Sequence, residues 1–267
     1  MKVRNKIKKV LVILLVIYVA AGIILYFAQE KILFHPKPLS KAHQFQFEQA
    51  FEEINISFEE NNVSIVRFKP GYKRKGIVLF YHGNMKNVEH YKKYPAFFLR
   101  NNYEIWMIDY PGFGKTTGKR TEKIMEKQAM LMYKNALAEM GSDSIIIYGK
   151  SFGTGVASFI ASNKNCKQLI LETPYYSISS LARYFIPIYP VNQMISYSFP
   201  VHRYLEKTGA PIFIFHGTKD EVIPFKHSTW LKKKNKNIEL ISIENGKHND
   251  LSSFKRYQAK LDSLLQH

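Results

Sequence analysis

The stretch Ile145-Ile146-Ile147-Tyr148-Gly149-Lys150-Ser151-Phe152-Gly153-Thr154-Gly155 restricts the fold more than any other part of the chain. Three β-branched residues and a tyrosine predict a buried strand. Val156 to Ala161 predicts a helix directly after it. A chain that passes from strand to helix this quickly must turn sharply. The apex residue is then strained and its neighbours must be small. Gly149 and Gly153 meet that need and leave Ser151 at the apex with its hydroxyl exposed. The following helix points its positive end at that hydroxyl, where negative charge would develop in a reaction. Taken alone, the pattern also fits a glycine-rich turn with an idle serine, so the rest of the chain must decide.

The flanking pattern is a strand–helix alternation. Phe51–Phe58 and Val63–Phe68 alternate well enough for two strands, and Asn61-Asn62 suits a tight turn between them. Gly76–Tyr81, Glu104–Asp109, Gln168–Leu171, Pro211–Phe215 and Ile238–Ile243 read as apolar strands. Helical patterns cover Glu89–Asn101, Thr121–Met140 and, at the end, about Asp250–Leu265. Uninterrupted apolar strands separated by helices predict an α/β architecture, a mostly parallel sheet covered by helices on both faces.

Residues 1–9 carry Lys2, Arg4, Lys6, Lys8 and Lys9, and Val10–Ala28 then runs 19 residues without a charge. As a helix this run is about 28 Å long, enough to cross the hydrocarbon core. Tyr26 and Phe27 lie near one interface. Val19-Ala20-Ala21 resembles a signal-peptidase site, but the apolar run continues beyond it, which favours an uncleaved anchor. Five basic residues precede the span and three follow it in the next 17, so the N-terminus is expected in the cytoplasm and the domain outside it. Residues 29–50 read as a linker, with His35-Pro36-Lys37-Pro38 extended, and 51–267 as the folded domain.

The formal charge of +18 is scattered, with Lys73-Arg74-Lys75 and Lys232-Lys233-Lys234-Asn235-Lys236 its densest groups. No nucleic-acid-binding motif accompanies it, so no nucleic-acid partner is expected, whereas a domain beside anionic lipid suits it. Cys166 is the only cysteine, which excludes an internal disulfide and a cysteine-rich metal site. The alternation fails between Glu172 and Gly209. Eight aromatics fall between Tyr175 and Tyr204, and Pro187, Pro190 and Pro200 cut the segment into short pieces. Residues of about 173–208 are expected to form a lid over the sheet's carboxyl edge. Most of its aromatics should pack on the core rather than touch substrate.

A nucleophilic serine needs a base, and the base needs an orienting acid. In a parallel sheet all three belong on loops after strands. Two downstream loops qualify, one ending in Asp220 and one carrying His248. The order Ser151, Asp220, His248 is the order of a nucleophile-elbow triad. His216 and His82 read as structural, and His35, His43, His90, His202, His227 and His267 lack a strand-to-loop context. Asp109 follows a strand before the serine, Asp143 lies on a helix–strand turn, and Asp250 is placed to cap the last helix. The oxyanion donors expected are the backbone N–H of Phe152 and that of Asn84 or Met85, in the loop after Gly76–Tyr81.

Four segments together carry a family resemblance: Tyr81-His82-Gly83-Asn84; Asp109-Tyr110-Pro111-Gly112-Phe113-Gly114 with Thr117-Gly118; Gly149-Lys150-Ser151-Phe152-Gly153; and His216-Gly217-Thr218-Lys219-Asp220 with Val222-Ile223-Pro224-Phe225, followed by Gly246-Lys247-His248-Asn249-Asp250. From about residue 30 to 265 the chain resembles the membrane-anchored α/β-hydrolase-domain family, serine hydrolases with a short lid. The resemblance implies the α/β-hydrolase fold and cleavage of carboxylic esters or thioesters of acyl or lysolipid-like substrates without a metal or cofactor. A serine peptidase of the same fold is the alternative, for which Glu172 would anchor the substrate amine. A non-catalytic, membrane-tethered binding protein is the second. Lys150, at a position that varies in the family, suggests a preference for anionic substrates.

Overall fold

The computed structural model describes residues 2–266; Met1 of the basic flank and His267 lie outside them. The chain opens with helix α1 (Lys2–Leu33). Its segment Val3–Leu33 is long and apolar enough to cross a membrane, with a mean hydropathy of 3.0 over its most apolar 18 residues, none of it buried against the domain. The helix runs five residues past the predicted linker boundary. It is followed at once by the short strand β1 (His35–Pro36), so the linker is shorter and more ordered than expected.

The core sheet begins with the hairpin β2 (Glu52–Phe58) and β3 (Asn61–Phe68). Its turn is Glu59-Glu60, not Asn61-Asn62. Phe58 pairs with Asn61, and both glutamates have positive φ, 45° and 61°. Such a two-residue loop matches the right-handed twist of the strands it joins, and that geometry overrides the turn preference of asparagine. Strand β4 (Gly76–Tyr81) follows, then the short β5 (Met85–Lys86), which pairs in parallel with β1. The helix expected over 89–101 is split into a 3₁₀ turn at Val88–Tyr91 and α2 (Tyr94–Leu99). Pro95 explains the break, since it has no N–H to return to the Tyr91 carbonyl.

Next come β6 (Tyr103–Ile108) and α3 (Glu122–Glu139), whose N-cap Thr121 accepts a hydrogen bond from the Ile124 amide. Then follow β7 (Ile145–Lys150), α4 (Gly153–Asn163) and β8 (Gln168–Glu172). The lid segment holds three short helices, α5 (Ile178–Phe185), α6 (Val191–Met194) and α7 (Val201–Lys207). The chain closes with β9 (Ile212–Gly217), α8 (Lys226–Lys234), β10 (Ile238–Ile243) and α9 (Lys255–Gln266). A 3₁₀ turn at Leu251–Ser253 precedes α9, so the last helix starts later than its pattern predicts.

The eight-stranded sheet has the order β10-β9-β8-β7-β4-β6-β3-β2, parallel except where β3 meets β6 and β2. The central strands β4, β6, β7 and β8 are buried along their whole length, which is why they read as unbroken apolar runs. Two apolar cores fill the two faces. One holds Leu79, Ile147 and Val156 under α3 and α4; the other holds Phe80, Tyr148 and Leu261 under α2 and α9.

The lid aromatics divide as expected. Tyr175, Tyr197 and Phe199 are buried in the core, while Tyr184 and Phe185 are exposed. The lid also packs on α1. Tyr18 stacks on Tyr189 with ring centroids 4.7 Å apart and an interplanar angle of 2°. The Gln29 amide donates to Met194 O at 3.3 Å and accepts from Ser196 N at 2.7 Å.

The hairpin offers a stability test. Glu60 occupies a left-handed conformation that costs a side-chain-bearing residue about 1–2 kcal/mol. Glu60→Gly should raise stability by roughly 1 kcal/mol, read as a higher thermal midpoint of the detergent-solubilised protein.

Candidate active site

Ser151 sits at the end of β7 with φ +50°, the strained apex that the motif predicts. The two glycines are required sterically. A Cβ on Gly149 would lie 2.7 Å from both Ala157 Cβ and Gly153 O, and one on Gly153 would lie 2.0 Å from Tyr81 O. The strain is held by backbone pairing on the neighbouring strand, as Ser151 N donates to Glu172 O at 2.8 Å. Helix α4 starts two residues later, with its N-terminus toward the serine.

Three side chains from three loops converge here. His248 Nε2 lies 2.9 Å from Ser151 Oγ, and His248 Nδ1 lies 2.8 Å from Asp220 Oδ2. All three residues are buried but not sealed. Asp220 Oδ1 accepts the amides of Val222 at 2.9 Å and Ile223 at 2.8 Å. Burial opposes ionisation of Asp220, but the rings of His216 and His248 and the Ile223 amide outweigh it. They hold the carboxyl well below the usual carboxylate range. An ionised carboxylate only accepts hydrogen bonds, so His248 must carry its proton on Nδ1. Nε2 is then free to accept the serine O–H. Such an arrangement can take a proton from a hydroxyl as it attacks a carbonyl and return it to a leaving group.

His216 is structural, as its place at a strand end suggested. Its Nδ1 accepts from Ser228 Oγ at 2.6 Å and its Nε2–H donates to Ile223 O at 2.8 Å. It also stands 3.2 Å from Asp220 Oδ2, the oxygen that faces His248, so it braces the acid. Asp250 does not cap a helix with its side chain. Its Oδ1 accepts the Lys247 amide at 2.7 Å and so shapes the loop that carries His248. Asp109 and His82 lie 3.2 Å apart beneath the loop after β4, and the Val88 amide donates to Asp109 at 2.9 Å. Gly114 is needed there, because a Cβ would fall 1.9 Å from Asp109 Oδ2.

The loop after β4 approaches the serine at Gly83, where a Cβ would lie 3.5 Å from Ser151 Cβ. Asn84 and Met85 follow it. The backbone amides of Met85 and Gly83 face the Tyr91 hydroxyl. The loop is tied to the end of α1. Asn84 Nδ2 donates to Leu33 O at 2.7 Å, His35 N donates to Asn84 O at 3.0 Å, and Lys37 N donates to Lys86 O at 2.8 Å. Phe34 then packs edge-on against Phe152 at 4.9 Å. No sequence signal marked this clamp, since a two-residue strand has no periodicity to detect.

Two sequence expectations are overturned. Lys150 does not face a substrate. It is buried, with Nζ 2.6 Å from Glu172 Oε1 and donating to His248 O at 3.2 Å. Glu172 is likewise no amine anchor. It is 1 % exposed, and its carboxylate also accepts the hydroxyls of Tyr94, Tyr148 and Tyr257. Both side chains leave the strand ends on the face of the sheet opposite the lid, where the Tyr148 core sits. The alternation of β-strands decides this, and it could have been read from the apolar partners on that face. Among the described residues, no group of three or more histidine, cysteine or acidic side chains could hold a metal ion.

The chain is similar to known proteins in sequence and in fold. The family profile described as serine aminopeptidase, S33, matches residues 72–204. The chain has the α/β-hydrolase fold. It is 30 % identical over 208 residues to the α/β-hydrolase domain-containing protein 17C of Xenopus tropicalis, covering 76 % of this chain and 64 % of that relative's length. With the human protein of the same name it shares 26 % over 240 residues, 86 % of this chain and 71 % of the relative. Among solved structures, an esterase of Pyrococcus furiosus superposes with a TM-score of 0.66 at 19 % identity, over 87 % of this chain and 97 % of the other. A thioesterase domain from the curacin biosynthetic pathway gives 0.59 at 16 %, over 82 % and 100 %. At these identities the solved structures establish the fold alone.

Burial would push the Glu172 carboxyl up, but the Lys150 ammonium and the tyrosine hydroxyls hold it below its ordinary value. The pair therefore contributes stability that is present above the unfolded carboxyl pKa and lost as pH falls through the folded one. Lys150→Met strands a buried carboxylate and should cost about 3–5 kcal/mol near pH 7. Burial then dominates and raises the folded pKa. Thermal melts should show this variant regaining stability as pH drops toward 5, where the native protein gains none.

Proposed function

We propose that this α/β-hydrolase is a membrane-anchored serine hydrolase that cleaves carboxylic ester or thioester bonds of acyl or lysolipid-like substrates. The observation that carries the reading is the hydrogen-bonded chain from Ser151 Oγ through His248 to Asp220 at a strained elbow. In this reading His248 Nε2 accepts the serine proton as Oγ bonds to the carbonyl carbon. The backbone N–H groups of Phe152 and Asn84 hold the resulting oxyanion. Asn84 is preferred over Met85 because the Met85 amide faces Tyr91. His248 then protonates the departing alcohol or thiol. A water, deprotonated by His248, releases the acid from the acyl-enzyme. These steps use side chains and backbone amides only.

The structural neighbours include an esterase and a thioesterase domain, in agreement with this chemistry. The S33 description keeps a peptidase in view. The burial of Glu172 weighs against it, because the carboxylate expected to take a substrate amine is spent on Lys150 and three tyrosine hydroxyls. A tethered binding protein would have no use for an ionised Asp220 held on a histidine that faces a serine. The scattered positive charge suits a bilayer, not nucleic acid. The excess of basic residues before the span supports an N-terminus in the cytoplasm and a domain outside it.

A fluorophosphonate probe should label Ser151 in the full-length protein. Ser151→Ala should abolish labelling and lower turnover of a short acyl ester by roughly 10³ to 10⁶. Undiminished hydrolysis by that variant would exclude the assignment. Side-specific labelling of a cysteine placed at Lys260, in a Cys166→Ala background, should succeed only from outside the cytoplasm.

A further inference from the structure

The lid touches α1 at a level that a membrane-spanning helix does not leave in water. Tyr18, stacked on Tyr189, lies ten residues inside the Ala28 end of the uncharged run. At 1.5 Å per residue that is about 15 Å, half of a hydrocarbon core about 30 Å thick. If the water boundary lay at Tyr18, only Val10–Ile17 would remain uncharged on the far side, about 12 Å and too short to span. We propose that the lid tip, residues 184–191, is a second membrane-inserting element, immersed beside α1 in the leaflet on the domain's side. The inference rests on the reading of α1 as a membrane anchor.

The composition of the tip agrees. From Tyr184 to Val201 the chain carries no Asp, Glu, Lys or Arg over 18 residues, in a protein that is 22 % charged. Its large side chains face outward, with Tyr184 50 %, Phe185 57 % and Ile188 70 % exposed. Irregular backbone enters hydrocarbon only when its polar groups are paired. Here Ile186 N donates to Ala182 O, Tyr189 N to Ile186 O and Val191 N to Tyr189 O. Pro187 and Pro190 have no N–H to pair. Ile188 O accepts from the Tyr18 hydroxyl at 3.0 Å, and the Tyr189 hydroxyl donates to Tyr18 O at 3.1 Å. Between the helix and the lid lies a cavity of about 90 Å³, lined by Leu25, Ile32, Leu33, Ile186, Met194 and Ile195 among others. It presents almost no polar group to water and suits a lipid chain.

A basic and aromatic border follows the tip. Arg183, Lys226, Lys233 and Lys234 line one groove with Tyr184 and Trp230. Lys226 Nζ stands 4.0 Å from the Tyr184 ring centroid and 5.5 Å from that of Trp230. Aromatic rings with lysines and arginines form the usual interfacial level of a membrane protein, and the positive charge complements the phosphates of lipid headgroups. At the domain end of α1 the polar ties, Gln29 to Ser196 and Glu30 to Tyr197, return the chain to water.

The test uses the full-length protein, with Cys166→Ala, in phosphatidylcholine–phosphatidylglycerol vesicles. Single cysteines at Ile188, Phe185, Leu15 and Tyr72 carry an environment-sensitive fluorophore. The Ile188 and Phe185 probes should emit to the blue, be quenched by nitroxides on the acyl chains and resist aqueous iodide, as should Leu15. The Tyr72 probe, on an exposed loop, should be quenched by iodide only. If Leu15 is quenched by lipid nitroxides while Ile188 and Phe185 respond to iodide, the lid proposal is overturned and the anchor stands. If Leu15 itself responds to iodide, the anchor reading fails and this inference falls with it. Ser151-dependent hydrolysis of a short soluble ester, measured on the same labelled proteins, keeps either failure separate from the assignment of the chemistry.

Discussion

The buried ion pair between Lys150 and Glu172 is the interaction on which the site depends. It joins the ends of β7, which leads into the serine turn, and of its neighbour in the sheet, β8. The Lys150 ammonium reaches on to the His248 carbonyl. The Glu172 carboxylate gathers Tyr94 from α2 and Tyr257 from α9, as well as Tyr148 from β7. Two charges out of water are costly, and only a complete set of partners offsets that cost. Here the partners come from nearly every element on one face of the sheet. The network ties the geometry of the His248 loop to the packing of that face.

On the other face, the end of α1 has the corresponding role. A helix that ends in water would leave its last carbonyls to solvent. Instead Leu33 O accepts the Asn84 side chain, and the next residues zip onto the loop beside Ser151. Phe34 completes the join by packing on Phe152 and on Tyr197 of the lid. Helix α1, the lid and the loop after β4 thus form one packed unit.

Much of the fold was legible because buried parallel strands are written as apolar runs, and β10 was delimited residue for residue at Ile238–Ile243. The grouping of Ser151, Asp220 and His248 was legible too, because position after a strand implies position at one sheet edge. The misreadings share a cause. The hairpin turn fell on Glu59-Glu60 because strand register, not asparagine preference, selects the turn. Helix 89–101 broke at a proline whose effect depends on where the preceding turn closes. Lys150 and Glu172 were given to the substrate because a charge near a catalytic serine suggests contact, whereas strand alternation sends both side chains into the core.

The sequence by itself determined the alternating architecture, the long apolar N-terminal helix and the identity of the three residues that meet at the elbow. Each of these depends on local periodicity or on chain order. Only the tertiary structure decided where the charges of Lys150 and Glu172 end, how the loop after β4 is tied to the end of α1, and where the lid lies along α1. Those depend on contacts between segments far apart in the chain, such as Asn84 with Leu33 or Tyr189 with Tyr18. No local pattern records such contacts, because they form only when packing brings the surfaces together.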